Sequence, residues 1–350
     1  MNLSMQDTFG RPLADLRISL IDRCNFRCPY CMPEADYPQR FGMPSSTRLS
    51  VAEILRLASC FHALGVRKFR LTGGEPLLRK DLPALVYALK SLGSEVVLTT
   101  NASLLAPHAK ALKEAGLDRL TISLDSLDPT RFLRMSGGRG QLAEVLNGIA
   151  AAQSAGFEKI KFNCVVQRGQ NEADVLLLAA HFRHSGHVVR FIEYMDVGSC
   201  NGWQPSEVVS AADILALIQP HFPLTHVPAI HASETAQRYA FDDGSGEIGI
   251  IASVSQPFCA SCTRARLSAD GKLYLCLFSS NGFDLRTMLR DACQSDADIS
   301  AQIQSIWRAR TDRYSAERAQ FLSVAPPQTR AITGSAGSDR KRIEMYQIGG

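Results

Sequence analysis

Six of the ten cysteines fall into two groups whose spacing suits a metal better than a disulfide. Cys24, Cys28 and Cys31 are separated by three and two residues. Cys259, Cys262 and Cys276 are separated by two and thirteen. Each group supplies three thiolates. A 4Fe-4S cube takes four ligands, so three thiolates leave one iron without a protein ligand. An open metal position points to chemistry rather than to a structural role. Zinc is the competing reading. It wants a fourth Cys or His close by, and for the first group none lies between Gly10 and Ala58. For the second group Cys293 could serve as a fourth ligand. The chain is large and begins with no export-type segment, which favours metal over disulfides. Cys60, Cys164, Cys200 and Cys293 are scattered, and read as small buried hydrophobes.

Other residues gather around these groups. Thr72-Gly73-Gly74-Glu75-Pro76 follows an apolar run, where glycines let a ligand approach the backbone closely. Leu98–Asn101 and Ser123–Asp125 end two further runs with hydroxyls, an amide and a carboxylate, suited to ribose and carboxylate recognition or simply to helix capping. Thr263-Arg264-Ala265-Arg266 lies inside the second cysteine group. In an extended segment alternate residues face one way, so Arg264 and Arg266 point together beside the metal. Paired guanidiniums invite a polyphosphate or a carboxylate.

The elements that must position these residues are visible as alternating patterns. Buried strands are expected at 16–21, 68–71, 95–99, 119–123, 159–165 and 188–193. Between them, helical spacing predicts helices at 51–64, 81–92, 106–115, 141–155 and 172–183. The first is opened by Ser50 with Glu53 as a capping box. Six strand–helix alternations imply a parallel sheet that curls right-handedly. Six strands are too few to close an eight-stranded barrel. The expected fold is α/β: an incomplete (β/α) TIM-type barrel with a C-terminal α+β lobe carrying a second Fe–S cluster. The expected divisions are an N-terminal extension (1–14), the partial barrel (15–200), the lobe (201–323) and a mobile tail (324–350) ending in Gly349-Gly350. In the lobe, a helix is expected at 211–218, strands near 235–241 and 247–254, a hairpin around Asp270, and helices near 284–292 and 296–309. Hydrophobic residues make up 45% and charged residues 21%, enough for a sizeable core. No apolar run reaches a membrane span, and no leader is evident, so a cytoplasmic protein is expected. The net charge of +4 argues neither for nor against a nucleic-acid partner; none is expected, and any anion site must be local.

Read together, Asp15–Ser19, the first triad, Arg70–Pro76, Ile160–Asn163, Arg190–Gly198, Phe258–Ser268 and the terminal Ile348-Gly349-Gly350 resemble the GTP 3′,8-cyclase family of molybdenum cofactor biosynthesis over nearly the whole chain. That family lies within the radical S-adenosylmethionine superfamily. The resemblance implies two 4Fe-4S clusters, one on each triad. The first binds S-adenosylmethionine by its amino and carboxylate groups. It implies Tyr30, Gly74, Ser123 and Met195 around S-adenosylmethionine. It implies Arg17, Lys68, Arg70, Thr99, Lys161, Arg190, Arg264 and Arg266 around GTP. No residue is implied as an acid or base, because a cluster-generated radical takes hydrogen from C3′ of the ribose and C3′ then joins C8 of guanine. An external one-electron donor and, downstream, cyclic pyranopterin monophosphate synthase are the implied partners, and a homodimer is compatible with the resemblance. The Gly-Gly end implies a tail that threads into the site. Two residues depart from the family pattern: Ala102 where glycine is usual, and Tyr346 where serine is usual. Two alternatives stay open on the residues alone. One is another radical enzyme with an auxiliary cluster acting on a peptide. The other is a zinc-stabilised binding module, which would not explain Thr72–Pro76.

Overall fold

The expected strands form one after another as parallel neighbours. A computed structural model describes residues 5–35, 44, 46–324 and 342–349. The first half runs β1 (Asp15–Ser19), α1 (Val51–Ala63), β2 (Lys68–Thr72), α2 (Leu82–Lys90), β3 (Glu95–Thr100), α3 (Ala109–Glu114), β4 (Arg119–Ser123), α4 (Pro129–Met135), α5 (Leu142–Ser154), β5 (Lys161–Val166), α6 (Asp174–Phe182) and β6 (Val188–Glu193). Strands β1 to β6 pair in sequence order, all parallel. Their outward residues, such as Leu16, Ile18, Phe69, Leu71, Leu98, Ile122, Phe162 and Phe191, are fully buried beneath the helices. Phe162 stacks on Phe182 of α6 with centroids 4.0 Å apart. The capping box at α1 is present: Ser50 Oγ accepts from Glu53 N, and Glu53 Oε2 accepts from Ser50 N. Helix α4 was not expected. Pro129 starts it, with the Asp128 carboxylate accepting from Arg131 N, in two turns too short to show a period.

The second half contains α7 (Ala211–Ile218), β7 (Leu224–Val227), β8 (Gln237–Phe241), β9 (Glu247–Ile251), β10 (Arg264–Leu267), β11 (Lys272–Tyr274), β12 (Phe283–Asp284), α8 (Arg286–Arg290), α9 (Asp296–Arg308), α10 (Tyr314–Val324) and α11 (Met345–Ile348). These strands build no sheet of their own. Strand β9 joins β6 in parallel and carries β8 and β7. Strand β10 joins β1 in parallel and carries β11 and β12. One open sheet of twelve strands results, with β1–β6 at its centre. The sheet is not closed, as expected of an incomplete barrel. Residues of β10, β1 to β6 and β9 all line one cavity, so the sheet curls around it. Of the stretch expected to be mobile, residues 325–341 and 350 lie outside the described ones. Residues 342–349 are packed: Glu344 is buried and Ile348 fully so. No helix among the described residues is long and apolar enough to cross a membrane.

Candidate active site

The inner face of the curled sheet is polar because strand alternation sends every second residue inward. On β10, β1 and β2, Arg264, Asp15 and Lys68 stand level, and one step along so do Arg266, Arg17 and Arg70. On β4 and β5, Thr121 stands level with Lys161, and Asn163 of β5 with Arg190 of β6. Arg190 faces Gly249 of β9, where a Cβ would come within 3.0 Å of the arginine chain. Together these residues bound a cavity of about 950 Å³. Twelve cationic and five acidic side chains line it, in a chain whose net charge is only +4. The positive charge is therefore concentrated here, as a polyanion site requires.

Burial and mutual repulsion act on these cations. Burial, then Arg266, Arg264 and Arg70, hold the pKa of Arg17 well below its ordinary value. Burial, then Arg190 and Arg119, bring Lys161 down to about 8. Arg70 donates to Thr99 Oγ1 at 3.2 Å and to Thr121 Oγ1 at 3.3 Å. The Nε atoms of Arg17, Arg70, Arg190 and Arg266 are buried and have no partner among the described residues. Such donors are costly to leave unpaired, so the cavity is built to receive acceptors.

All eight residues implied for the substrate, Arg17, Lys68, Arg70, Thr99, Lys161, Arg190, Arg264 and Arg266, line this cavity. So do Met195 and the second triad, Cys259, Cys262 and Cys276. Arg264 donates to Cys262 Sγ at 3.5 Å and Arg310 at 3.3 Å. Burial opposes ionisation of Cys262, but the charges of Arg264 and Arg310 outweigh it and bring its pKa down to about 5. Cys276 remains above the ordinary thiol value through burial. Cys293 is exposed and is not among the lining residues.

The first triad follows β1 on a loop that runs against Thr72–Pro76. Gly74 N donates to Ile21 O and Glu75 N to Arg23 O, each at 2.7 Å. A Cβ on Gly74 would lie 2.0 Å from Arg23 O, so only glycine lets the two loops meet. The immediate partner of Gly74 is thus the cysteine loop itself. Glu75 is fully buried and accepts from Leu77 N, Thr100 Oγ1 and Asn101 N. Burial, only partly offset by these bonds, raises its pKa to about 7. Asn101 donates to Asn25 Oδ1 at 2.9 Å and lies 3.8 Å from Cys24 Sγ. Tyr30 donates to Asp125 Oδ2 at 2.7 Å. Burial raises Asp125 to about 6, against the lowering effect of that bond. Tyr30 packs with Met135, Tyr194, Trp203 and Val254, bordered by Cys28, Cys31 and Met195. Ser123 closes β4 opposite Asn163. Gly74, Ser123 and Tyr30 do not line the cation cavity. Met195 belongs to both neighbourhoods.

Both triads fit iron–sulfur cubes better than zinc. All ten cysteines are free thiols. Within the first triad Cys28 and Cys31 feel the charge of a neighbouring thiol: Cys28 is pushed up by burial first, then by Asp125, Cys31 and Cys24, and Cys31 by burial first and then Cys24. Yet no three or more His, Cys, Asp or Glu among the described residues gather tightly enough for one ion. A closed zinc site wants a fourth Cys or His, and Cys293, the candidate for the second triad, is exposed and off the cavity. Of the four scattered cysteines, Cys60 and Cys164 are buried as expected. Cys200 is half-buried against Glu344, and Cys293 is exposed. The reading of all four as core residues therefore holds for two.

Sequence reasoning left out several lining residues, among them Asp15, Arg119, Asn163, Arg11, Glu234 and Arg310. Strand alternation could have found Arg119, two residues from the inward Thr121, and Asn163, two from Lys161. Nothing in the local sequence marks Arg11 or Arg310. Ala102, the departure from glycine, adopts φ +61° and is completely buried. Glycine adopts that left-handed backbone at less cost than alanine.

A sheet open at one end, a triad of thiols at the C-terminal rim of β1 and a Gly-Gly-Glu-Pro loop holding it define a radical S-adenosylmethionine protein. Residues 18–181 match the radical SAM superfamily and residues 187–316 match the molybdenum cofactor synthesis C family. The chain belongs to the GTP 3′,8-cyclase family. It is 50% identical to the GTP 3′,8-cyclase of Xanthomonas axonopodis pv. citri, covering 100% of both chains. It is 48% identical to that of Acidothermus cellulolyticus (100% of both) and 42% to that of Staphylococcus carnosus (98% of both). Among solved structures, Streptococcus suis SuiB bound to S-adenosylmethionine shares the fold, with TM-score 0.61 and 15% identity over 88% of this chain and 68% of that one.

Proposed function

We propose that this chain is a radical S-adenosylmethionine lyase that converts GTP to (8S)-3′,8-cyclo-7,8-dihydroguanosine 5′-triphosphate, an early step towards the molybdenum cofactor. Cys24, Cys28 and Cys31 hold one 4Fe-4S cluster, and Cys259, Cys262 and Cys276 hold the other. A cluster on the first triad with bound S-adenosylmethionine would, on taking one electron from an external donor, supply the hydrogen-abstracting radical, and a second electron with a proton would complete the cyclised nucleotide. Tyr30, Gly74, Ser123 and Met195 border the cosubstrate. Arg17, Lys68, Arg70, Lys161, Arg190, Arg264 and Arg266 bind the triphosphate and Thr99 lies beside them. Their charges fix the nucleotide between the two triads, so that C3′ and C8 are held for bond formation. The surrounding sheet excludes water, which would otherwise divert a radical. The product passes to cyclic pyranopterin monophosphate synthase. The partial barrel, 15–200, holds the cosubstrate, and 201–323 brings the second triad.

One observation carries this reading: the second triad opens into the same cavity as the seven cations. Seven cations converging in one cavity suit a compact triphosphate better than an extended peptide of mixed charge. The test is anaerobic. Reconstituted and reduced protein with S-adenosylmethionine forms 5′-deoxyadenosine far faster with GTP than without it, and a cyclised nucleotide accompanies it. Equal rates with and without GTP would reject the assignment.

A further inference from the structure

The N-terminal turn, outside every motif of the sequence, is tied into the second triad by buried charge. Asp7 Oδ1 accepts from Phe9 N and Arg11 N, both at 2.9 Å, which closes the turn. Its other oxygen accepts from Arg11 Nε at 2.6 Å and lies 3.5 Å from Arg310 Nη1. The Asp7 side chain is 0% exposed, and those of Arg11 and Arg310 are each 2% exposed. Both guanidiniums reach on to the cysteine loop. Arg11 Nη1 donates to Cys259 O at 2.9 Å. Arg310 Nη1 donates to Cys262 O at 2.8 Å while Nη2 donates to Cys262 Sγ at 3.3 Å. Thr8 Oγ1 donates to Arg310 O at 2.6 Å, and Trp307 Nε1 to Arg11 O at 3.1 Å. Chain segments some 300 residues apart in sequence thus meet at two of the three thiols.

A buried carboxylate between two guanidiniums is costly to desolvate, and removing one member of such a group is strongly destabilising. Arg310 Nε and Arg11 Nη2 are moreover buried without a partner among the described residues, and both side chains border the cavity. Donors left free on that side have a use when an electron-rich group occupies the triad. We propose that Asp7, Arg11 and Arg310 form a charged clamp that positions the second triad and, through the Arg310 bond to Cys262 sulfur, stabilises the cluster held there. Arg11 and Arg310 are positioning residues in this role and not substrate ligands. The proposal rests on the reading of Cys259, Cys262 and Cys276 as cluster ligands.

The test uses the full-length chain carrying Cys24→Ala, Cys28→Ala and Cys31→Ala, so that only the second triad can hold iron. The probe is an iron chelator, applied without GTP. Iron, sulfide and the cluster's paramagnetic signal are followed in time. Removing an outer-shell partner of a metal site typically costs ~10–100-fold in metal affinity, which a faster release can carry. Arg310→Met and Asp7→Asn therefore release the cluster at least ~10-fold faster than the unmodified clamp, and Arg310→Met alters the paramagnetic signal. Arg310→Lys keeps a charge but cannot span Cys262 O and Sγ together, so it falls between. Thr8→Val removes a single bond to Arg310 and no charge. It accelerates release a few-fold, and keeps the test decisive if Arg310→Met does not fold. Release rates and signals within twofold of the parent for Arg310→Lys and Thr8→Val overturn the clamp while leaving the cluster reading standing. A parent chain that takes up no iron and sulfide at this triad overturns both.

Discussion

At the scale of single residues, the cavity balances repulsion among its cations against the anion it is built to hold. Lys161 shows the balance most directly. Burial, then Arg190 and Arg119, bring it from 10.5 to about 8. Between those values the unfolded chain binds more protons than the folded one, so the ligand-free protein gains stability as pH rises through that window. Binding runs the other way, because neutral Lys161 no longer attracts the triphosphate. Between pH 7.5 and 9.5 the dissociation constant for GTP should rise while the ligand-free melting temperature rises or holds. Lys161→Met should lose most of both trends, and equilibrium dialysis with thermal melts at matched ionic strength checks this. A dissociation constant that falls over the same range would remove Lys161 from the binding set. The cations implied by the motifs were legible because each sits in a recognisable strand. Asp7 and Arg310 were not, because their meeting depends on tertiary closure that no short window of sequence contains. The glycines of Thr72–Pro76 were legible as a close approach by a ligand, but the groups their backbone meets are the backbones of Ile21 and Arg23.

At the scale of elements, buried carboxylates tie strand ends to the segments that follow. Glu193, at the end of β6, is completely buried and accepts from Ala211 N at 2.8 Å, Val254 N at 2.6 Å and Ser255 N at 2.8 Å. One side chain thereby joins β6, the start of α7 and the loop that leads from β9 towards the second triad. Glu193→Ala would leave three donors unpaired. At ~1–3 kcal/mol for each backbone donor, the loss is expected to be ~3–9 kcal/mol, read by anaerobic equilibrium denaturation. Retention of full stability would mean that water or a neighbouring acceptor takes the carboxylate's place. Strands β1–β6 were visible in the sequence because parallel strands buried beneath helices give short apolar runs at regular intervals. The pairing of β10 with β1 was not, since it joins residues about 250 positions apart and nothing in Arg264–Leu267 names its neighbour. The C-terminal lobe was legible, but not that its strands extend the barrel sheet at both edges, which is how the second triad comes to open onto the same cavity as the β1 and β2 arginines.

At the scale of the whole molecule, the chain's last described residues close the structure near its first functional loop. Glu344 accepts from Ser199 N at 3.0 Å and Ser199 Oγ at 2.7 Å, beside Cys200 Sγ at 2.9 Å. Arg342 reaches Asp196, the residue after Met195, which Tyr314 and Arg318 of α10 also engage. Ile348 is fully buried, and Gly349 has φ +68° with space for no side chain: a Cβ there would lie 2.0 Å from Thr72 Cγ2. Thr72 opens the loop that holds the first triad, so a poorly seated tail acts on that loop and on the strand beneath it. Gly349→Ala adds one methyl, yet it must be both strained and obstructed. The expected result is faster amide exchange in 342–348 and in 72–76 together, with GTP-dependent turnover reduced ~10-fold or more, since small displacements of a reacting geometry cost rate steeply. Faster exchange confined to the tail, with turnover intact, would show that the seat of Gly349 is only a resting place for the chain end. Coupled exchange in both segments would instead make the tail a structural wall of the site, held by Glu344 on one side and Thr72 on the other.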